Sequence, residues 1–526
     1  METSRTFAFV FPMASGHINP SLGVARSLVE RGHKVHYLCR RQMQEAIEDT
    51  GATYHSDLEN QGELYNGREP AMIGAIGALQ AEYGMADQGY VQGRVLLKEI
   101  MAEMMLPGTV RWIASVAADV VVCDPLVNLE AALAARLAGL PCASILTLAG
   151  PGGSQPAWRN MLDAAGTTAE AMLEKRREFQ PLTDCLKRLA AHGLHLSVED
   201  GLKPVGLLPP IVFSDITLVT TAEFLADEVP SDLQAAYDDA KVKFAYVGPL
   251  LDKPGAKRAA GHRIDHVLNE QAPVAATLDP VALIQEAKSA GRKVILASLG
   301  TIITGDNPEL GWNARPVLNG VRQGLTGKEL CQAAWGAVFD IFGSDSEDPE
   351  ALILVALGPQ PDALDGVPAP RNAFCQPILP QVDVLRAGVD VFLTHGGQNS
   401  LMESLSTSTP VVVCPGFGDQ PENAAKAQAL GVGLKVDRPM GPLERSFEEA
   451  FEYRQSVASC LAQVRDTPAF REKAKECAEA LGAAGGVPRA TAVLLELAHK
   501  RVPAKSCADL APLSDELMAR RAAAGA

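Results

Sequence analysis

Two groups of residues in this chain have types and spacing that could do chemistry. The first is His395-Gly396-Gly397 with Asn399, Ser400 and Glu403 close behind. Val389–Thr394 before it is a short apolar run bounded by polar and glycine signals, the pattern of a strand buried on both faces. Leu401, Met402 and Leu405 after it fall at helical spacing. A helix opening on a glycine turn at the end of a parallel strand presents unpaired backbone N–H groups and a positive dipole end, which suits phosphate. Asn399 and Glu403, four apart, share the polar face of that helix. A second strand–loop–helix follows: Pro410–Cys414, a loop carrying Asp419 and Gln420, and a helix from Pro421 to a stop at Gly431. The stretch offers an anion cradle, a carboxylate suited to ribose hydroxyls, and an acid–amide pair for a further polyhydroxylated group. These parts suit a nucleotide-sugar.

The second group is His17 and Asp124. His17 lies in the turn after an expected strand at Phe7–Pro12, and Asp124 directly follows an expected strand at Asp119–Cys123. Open parallel sheets bind ligands at the C-terminal ends of their strands, so both side chains fall on one edge of one sheet. A carboxylate accepting a hydrogen bond from one imidazole nitrogen fixes the tautomer and stabilises the imidazolium once the other nitrogen takes a proton. Such a pair suits deprotonation of an alcohol. Position alone favours blander roles, a polar turn residue for His17 and a helix N-cap or strand terminator for Asp124.

The elements that must position these residues repeat a strand–helix–strand plan. Asn19 is placed to cap a helix with Pro20 at its first position, Leu22, Ala25, Leu28 and Val29 form its apolar stripe, and Gly32 stops it. Further strands are expected at Lys34–Cys39, Cys142–Thr147, Ile216–Thr220 and Phe244–Val247, with a helix over Asn128–Ala138. Residues 55–110 are weakly periodic and rich in methionine, most simply as core gap-fillers, otherwise as an adaptable apolar wall. The long segment 151–210 stands where an α/β fold builds a pocket wall. Lys293–Ser298, ending in Leu299-Gly300-Thr301, opens a second sheet. It continues through Leu352–Leu357 and Ala373–Gln376, with a helix at Lys328–Phe342. The acidic loop Asp345–Glu350 reads as solvated surface, and His33 and His36 as surface and strand residues. The pattern predicts an α/β protein of two doubly wound, Rossmann-like domains with a cleft between them. Its divisions are an N-terminal domain at 1–250, a linker at 251–290, a C-terminal domain at 291–465, and helices with a flexible tail at 466–526.

Composition narrows the class. A chain of 526 residues has room for two sizeable cores, and a formal charge of −16 argues against DNA or an anionic membrane surface as partner. No apolar run approaches the ~18–20 residues of a membrane-spanning helix. Ten scattered cysteines without a CxxC pair read as buried thiols in a reducing compartment, so a cytoplasmic location is expected. GxSxG, HExxH and Walker patterns are absent.

The run from Pro380 to Asn423 resembles the donor-binding signature of the UDP-glycosyltransferase family. That pattern is a proline–glutamine pair, HGG-x-NS-xx-E, an acidic residue with glutamine, and a downstream asparagine. Here it reads Pro380-Gln381, His395-Gly396-Gly397-Gln398-Asn399-Ser400, Glu403, Asp419-Gln420 and Asn423. The resemblance implies the two-domain GT-B fold, with the last helices crossing back onto the N-terminal domain. It implies that His395, the turn amides and Ser400 contact the donor diphosphate, with Ser298, Gly300 and Thr301 approaching from the other side. Glu403 would bind ribose, and Asp419 and Gln420 the sugar hydroxyls. Gly16-His17 with Pro20 matches the family's catalytic-histidine motif, and Asp124 matches its aspartate partner by context. Many members carry tryptophan on the uracil where this chain has Ile378, so the base would pack on an aliphatic surface with Gln381 as a backbone contact.

The resulting expectation is an inverting, metal-independent glycosyltransferase. It would move a hexose from a UDP-sugar, or with Ile378 a thymidine-linked one, to a hydroxyl of a small hydrophobic acceptor. The nucleotide-sugar is a co-substrate, no cofactor or metal is required, and a monomer or weak oligomer is expected. The alternatives are a nucleotide-sugar epimerase or hydrolase and a non-catalytic nucleotide-sugar-binding partner. Segments 55–110 and 151–210 count against the first, and the presence of both His17 and Asp124 against the second.

Overall fold

The computed structural model describes residues 3–68, 72–202, 207–259, 279–318, 321–499, 512 and 515–519. It resolves into two compact units, one of Met1–Gln155, Thr167–Ala259 and Gly485–Ala526, the other of Pro156–Gly166 and Ala260–Ala484. The change between units thus falls at Ala259 and again at Gly485, and a short piece of the 151–210 segment belongs to the second unit. Residues 260–278 of the expected 251–290 linker, and most of the tail after 500, lie outside the described residues.

The first unit is built on seven strands: β1 (Thr6–Val10), β2 (Lys34–Cys39), β3 (Thr53–Ser56), β4 (Val120–Cys123), β5 (Cys142–Leu146), β6 (Ile216–Val219) and β7 (Phe244–Tyr246). They form one parallel sheet in the order β3-β2-β1-β4-β5-β6-β7. β4 and β5 are buried along their whole length, as strands covered on both faces must be. Phe7, Phe9, Tyr37, Val122 and Ile145 pack with Leu22, Ala25 and Leu28 of the helix Ser15–Glu30 and Ala490 and Leu494 of the helix Gly486–His499. Met101 and Met104, on the long helix Tyr90–Ser115, are buried, the gap-filling role.

The second unit begins with β8 (Lys293–Ser298), a two-stranded ribbon of β9 (Val317–Leu318) and β10 (Val321–Arg322), then β11 (Ala351–Ala356), β12 (Ala373–Gln376), β13 (Val391–Thr394), β14 (Val411–Val413) and β15 (Gly433–Lys435). Its main sheet runs β12-β11-β8-β13-β14-β15. Counted along the chain, both sheets follow the doubly wound order 3-2-1-4-5-6, reversing direction between the first and fourth strands. Ile295, Ile353, Val355 and Leu393 meet Leu330, Trp335 and Val338 of the helix Gly327–Phe342 and Tyr453, Val457 and Leu461 of the helix Ser446–Asp466. Thr326 and Glu329 close the start of the former helix with a reciprocal capping box.

Three sequence expectations change. The first helix starts at Ser15, capped by Ala14, so Pro20 lies inside it and Asn19 is no cap. Asn19 instead pairs through its amide with both backbone groups of Ala259. His33, expected at the surface, is buried, its Nδ1 accepting from the Arg5 N–H at 3.2 Å and its ring edge-on to Phe7. Strands β3, β9, β10 and β15 add to those expected.

Candidate active site

In each sheet the point where strand order reverses carries the residues singled out above. β1 and β4 are neighbours, with Val10 opposite Cys123, so the segments leaving their C-terminal ends start side by side. His17 lies in the first turn of the helix after β1, and Asp124 follows β4 by one residue. Their side chains meet with Nδ1 of His17 2.7 Å from Oδ2 of Asp124. Because an ionised carboxylate only accepts, this contact puts the ring proton on Nδ1 and the lone pair on Nε2. Asp124 is fully buried and His17 partly exposed. The other carboxylate oxygen, Oδ1, accepts from the N–H groups of Leu126 and Val127 at 2.8 and 2.9 Å. Asp124 therefore both ends the strand and orients the histidine. The arrangement holds an imidazole ready to take a proton, beside a buried negative charge that stabilises the resulting cation.

Residues behind this pair were not singled out from sequence. Asn128 closes the turn that begins at Asp124, its N–H donating to the Asp124 carbonyl at 3.0 Å. Its Nδ2 donates to Glu130 Oε1 at 2.9 Å, and Gln61 Nε2 reaches the same oxygen at 3.3 Å. Burial pushes the Glu130 carboxyl up to about 7 against the pull of these hydrogen bonds. A lone glutamate at the start of a helix gives no signal of such burial.

In the second unit β8 and β13 are neighbours, with Ser298 opposite Thr394, and Val413 of β14 stands on Thr394's other side. Ser298, Gly300 and Thr301 therefore leave the sheet beside His395, Gly396 and Gly397. The glycines have a steric reason. A Cβ at Gly300 would lie 2.7 Å from Nε2 of His395, and one at Gly397 2.5 Å from it, so both make room for the imidazole. Gly300 and Gly396 also hold φ of +83° and +79°, the left-handed region that favours glycine. Thr304 fixes the first turn by donating Oγ1 to the Gly300 carbonyl at 2.7 Å. Burial lowers the His395 ring to about 4, with a backbone contact from Ser298 working the other way, so the ring is neutral at pH 7.

The helix Gln398–Ser406 opens at Gly397 and brings Ser400 and Glu403, three residues apart, onto one side. Gln381, at the start of the preceding helix, joins them: its Nε2 donates to Ser400 Oγ at 3.1 Å and to Glu403 Oε2 at 2.7 Å. Asn399 is half-buried on the same helix. Asp419 Oδ2 accepts from the Gln398 N–H at 3.1 Å and from Asn423 Nδ2 at 2.8 Å, placing a carboxylate at the helix's positive end. Asn423 also donates to the Gly396 carbonyl, which ties the two strand–loop–helix units together. Gln420 Oε1 accepts from the N–H groups of Gly416 and Phe417, shaping the loop it ends. Ile378, after β12, keeps 37% of its surface exposed. The structure thus gathers Gln381 with Ser400 and Glu403, His395 with Gly300 and Gly397, and Asp419 with the 396–398 turn. Among the described residues no group of three or more His, Cys, Asp or Glu side chains could hold a metal ion. No helix among them is long and apolar enough to cross a membrane.

Comparison with known proteins bears on the same region. The family model described as UDP-glucoronosyl and UDP-glucosyl transferase matches residues 349–444, which includes the whole of the His395 turn and the Asp419 loop. The NDP-glycosyltransferase YjiC of Bacillus licheniformis is 23% identical over 485 residues, covering 90% of this chain and 97% of that protein. Among solved structures, the glycotransferase of kitacinnamycin superposes with a TM-score of 0.59 at 21% identity, over 94% of this chain and 99% of that one. The calicheamicin glycosyltransferase CalG4 gives 0.58 at 18% identity, over 96% and 100%.

Proposed function

We propose that this chain is a GT-B glycosyltransferase of the UDP-glycosyltransferase family that transfers a hexose, with inversion, from a UDP-sugar to a hydroxyl of a small hydrophobic acceptor. The 2.7 Å hydrogen bond between His17 and Asp124 carries this reading. Nε2 of His17 takes the acceptor's hydroxyl proton as that oxygen bonds to the sugar C1. The C1–O bond to the diphosphate breaks through an oxocarbenium-like state, and its electrons leave with the nucleoside diphosphate. Asp124 holds the ring and balances its transient charge.

The second unit supplies the donor site. The helix amides that follow Gln398, the neutral His395, and Ser298, Gly300 and Thr301 take the diphosphate and the charge it gains on leaving. Ser400 joins them, Glu403 takes the ribose, and Asp419 and Gln420 take sugar hydroxyls, with Asn399 beside them. Ile378 and the backbone of Gln381 take the base; a thymidine-linked sugar is the competing donor on that aliphatic surface. No step of this mechanism runs through a metal, so EDTA should leave turnover unchanged. The nine described cysteines, all unpaired, support a cytoplasmic setting.

Mass spectrometry of a reaction holding several UDP- and thymidine-linked sugars with pooled hydrophobic alcohols tests the reading, and the anomeric coupling of the product tests inversion. Product with retained configuration, or donor turnover that needs no acceptor, refutes it. His17→Ala should lower turnover by about 10²–10⁴-fold while nucleoside diphosphate still binds.

A further inference from the structure

The loop that leads to Asp419 and Gln420 is held by a segment more than 250 residues earlier in the chain. Pro156–Gly166 belongs to the second unit, although the residues on either side of it belong to the first. Most of it forms the helix Ser154–Ala164. Nδ2 of Asn160 donates to the carbonyl of Gly418 at 2.8 Å. A Cβ on Gly418 would stand 3.9 Å from Cγ of Met161, so the neighbouring residue of the helix lies against the same loop. Past the helix end, Ala165 bridges Val317 of β9 in parallel. Gly166, at φ +71°, packs so closely on Val317 that a Cβ there would fall 2.5 Å from its Cγ1. The segment is thus fastened at two separate places, on the loop and on the ribbon. A third contact, Arg159 to Glu422 at 3.6 Å, is largely exposed and adds little.

Gly418 is the place in this loop where an outside restraint matters most. It sits at φ +65°, and glycine crosses between conformations at little steric cost. Its carbonyl and the Asp419 N–H share one rigid plane, so turning that peptide changes the direction in which Asp419 leaves the backbone. The bonds from Asp419 to Gln398 and Asn423, and from Gln420 to Gly416 and Phe417, require one orientation of that peptide. A donor fixed on the Gly418 carbonyl selects it.

We infer that Asn160 is a positioning residue for sugar recognition: by holding the Gly418 carbonyl it sets how Asp419 and Gln420 present themselves to the sugar of the donor. The inference rests on the donor-site reading given above, and it adds a determinant of sugar preference supplied by an early segment of the chain. It separates two parts of one ligand. On that reading the nucleoside diphosphate falls to the His395 turn, Ser400 and Glu403, whereas the sugar falls to the loop that Asn160 holds at Gly418.

The experiment compares wild type, Asn160→Ala and Asn160→Asp, the last keeping the shape but losing the N–H donor. Titration calorimetry gives Kd for UDP and for thymidine diphosphate, and initial rates give KM for the matching nucleotide-sugars, hexose and 6-deoxyhexose. Both variants should raise the KM for the preferred nucleotide-sugar roughly three- to tenfold, the usual range for one lost hydrogen bond. They should narrow the preference between the two sugars and leave Kd for the free diphosphate within about twofold. An unchanged KM and sugar preference in both variants overturns the role of Asn160 alone. A Kd that rises in step with KM overturns it too, because that is general damage to the unit. A wild-type protein that binds neither diphosphate overturns the donor-site reading itself, and this inference with it.

Discussion

Asp124→Asn isolates what the carboxylate does for His17, because the two side chains have the same shape. In the wild type Oδ1 is held by two backbone N–H groups and Oδ2 by His17. The amide oxygen of the variant must take the position facing Leu126 and Val127, since an amide nitrogen there would meet two N–H donors in a fully buried site. That leaves the amide N–H₂ pointing at His17 Nδ1. The ring answers by moving its proton to Nε2, and the lone pair that should accept the acceptor's proton is then on the wrong nitrogen. The chain keeps its turn, its strand pairing and its donor site. Turnover should therefore fall about 10³–10⁴-fold, the scale on which a misassigned tautomer and a lost counter-charge act in histidine–aspartate pairs. Stability should change by no more than about 1 kcal/mol, since both backbone hydrogen bonds remain.

The assay is kcat with the acceptor identified by mass spectrometry, alongside titration of the nucleoside diphosphate and a urea melt. The double variant with His17→Ala supplies the sharper control. If Asp124 acts through His17, removing both costs little more than removing one. Turnover within threefold of wild type in Asp124→Asn would refute the reasoning, and so would losses that multiply in the double variant.

Three further outcomes follow from the structure. Gln381→Ala removes hydrogen bonds to both Ser400 and Glu403; Kd for the nucleoside diphosphate should rise about tenfold with kcat nearly unchanged, measured by calorimetry and initial rates. Glu130 has its carboxyl raised to about 7 from an ordinary 4.5, so its folded form holds a proton that the unfolded chain releases. That contribution is fully present below pH 4.5 and is lost as pH rises through 7. Glu130→Gln, which mimics the protonated form, should match wild type near pH 4.5 and exceed it by up to about 3 kcal/mol at pH 8.5 in urea melts. Arg176 and Glu99 form a fully buried pair at 2.9 Å, joining the helix Ala169–Glu178 to the helix Tyr90–Ser115. Arg176→Met alone should cost about 3–5 kcal/mol, and adding Glu99→Leu should recover most of it; calorimetric melting of the three proteins decides this.

What could be read from sequence depended on whether the signal was local. Val120–Cys123 and the Val294–Ala297 centre of β8 are continuous apolar runs, and a strand buried on both faces needs no other mark. β3 and β15 stand at sheet edges, half-covered and three or four residues long, so their composition does not separate them from loop. Pro20 misled because proline favours the first helical position, whereas here the turn residues Ser15–Ile18 are already helical. The His395 turn was legible because its work is done by backbone and glycine, which leave a fixed spacing. The partners of its side chains were not, since Gln381 reaches Glu403 across 22 positions and Asn160 reaches Gly418 across 258. Asp124 shows the same limit in another form. Turn-former and histidine partner stood as alternatives in the sequence, and the structure joins them by giving each oxygen its own task.

The two sheets use one topology to place two histidines in opposite surroundings. In the first unit the imidazole comes from the turn after the first strand and a buried carboxylate comes from the fourth, so a positive charge on His17 has a partner at 2.7 Å. In the second unit the imidazole comes from the fourth strand and the first contributes Gly300, which offers room and no charge. Burial then works unopposed by any carboxylate and keeps His395 neutral down to about pH 4. A proton acceptor must gain charge during the reaction, whereas a group that donates a hydrogen bond to a diphosphate must not compete for protons at neutral pH. On the proposed mechanism the carboxylate beside one ring and the glycines around the other divide these tasks, so exchanging Asp124 for a neutral residue should erase the difference between them.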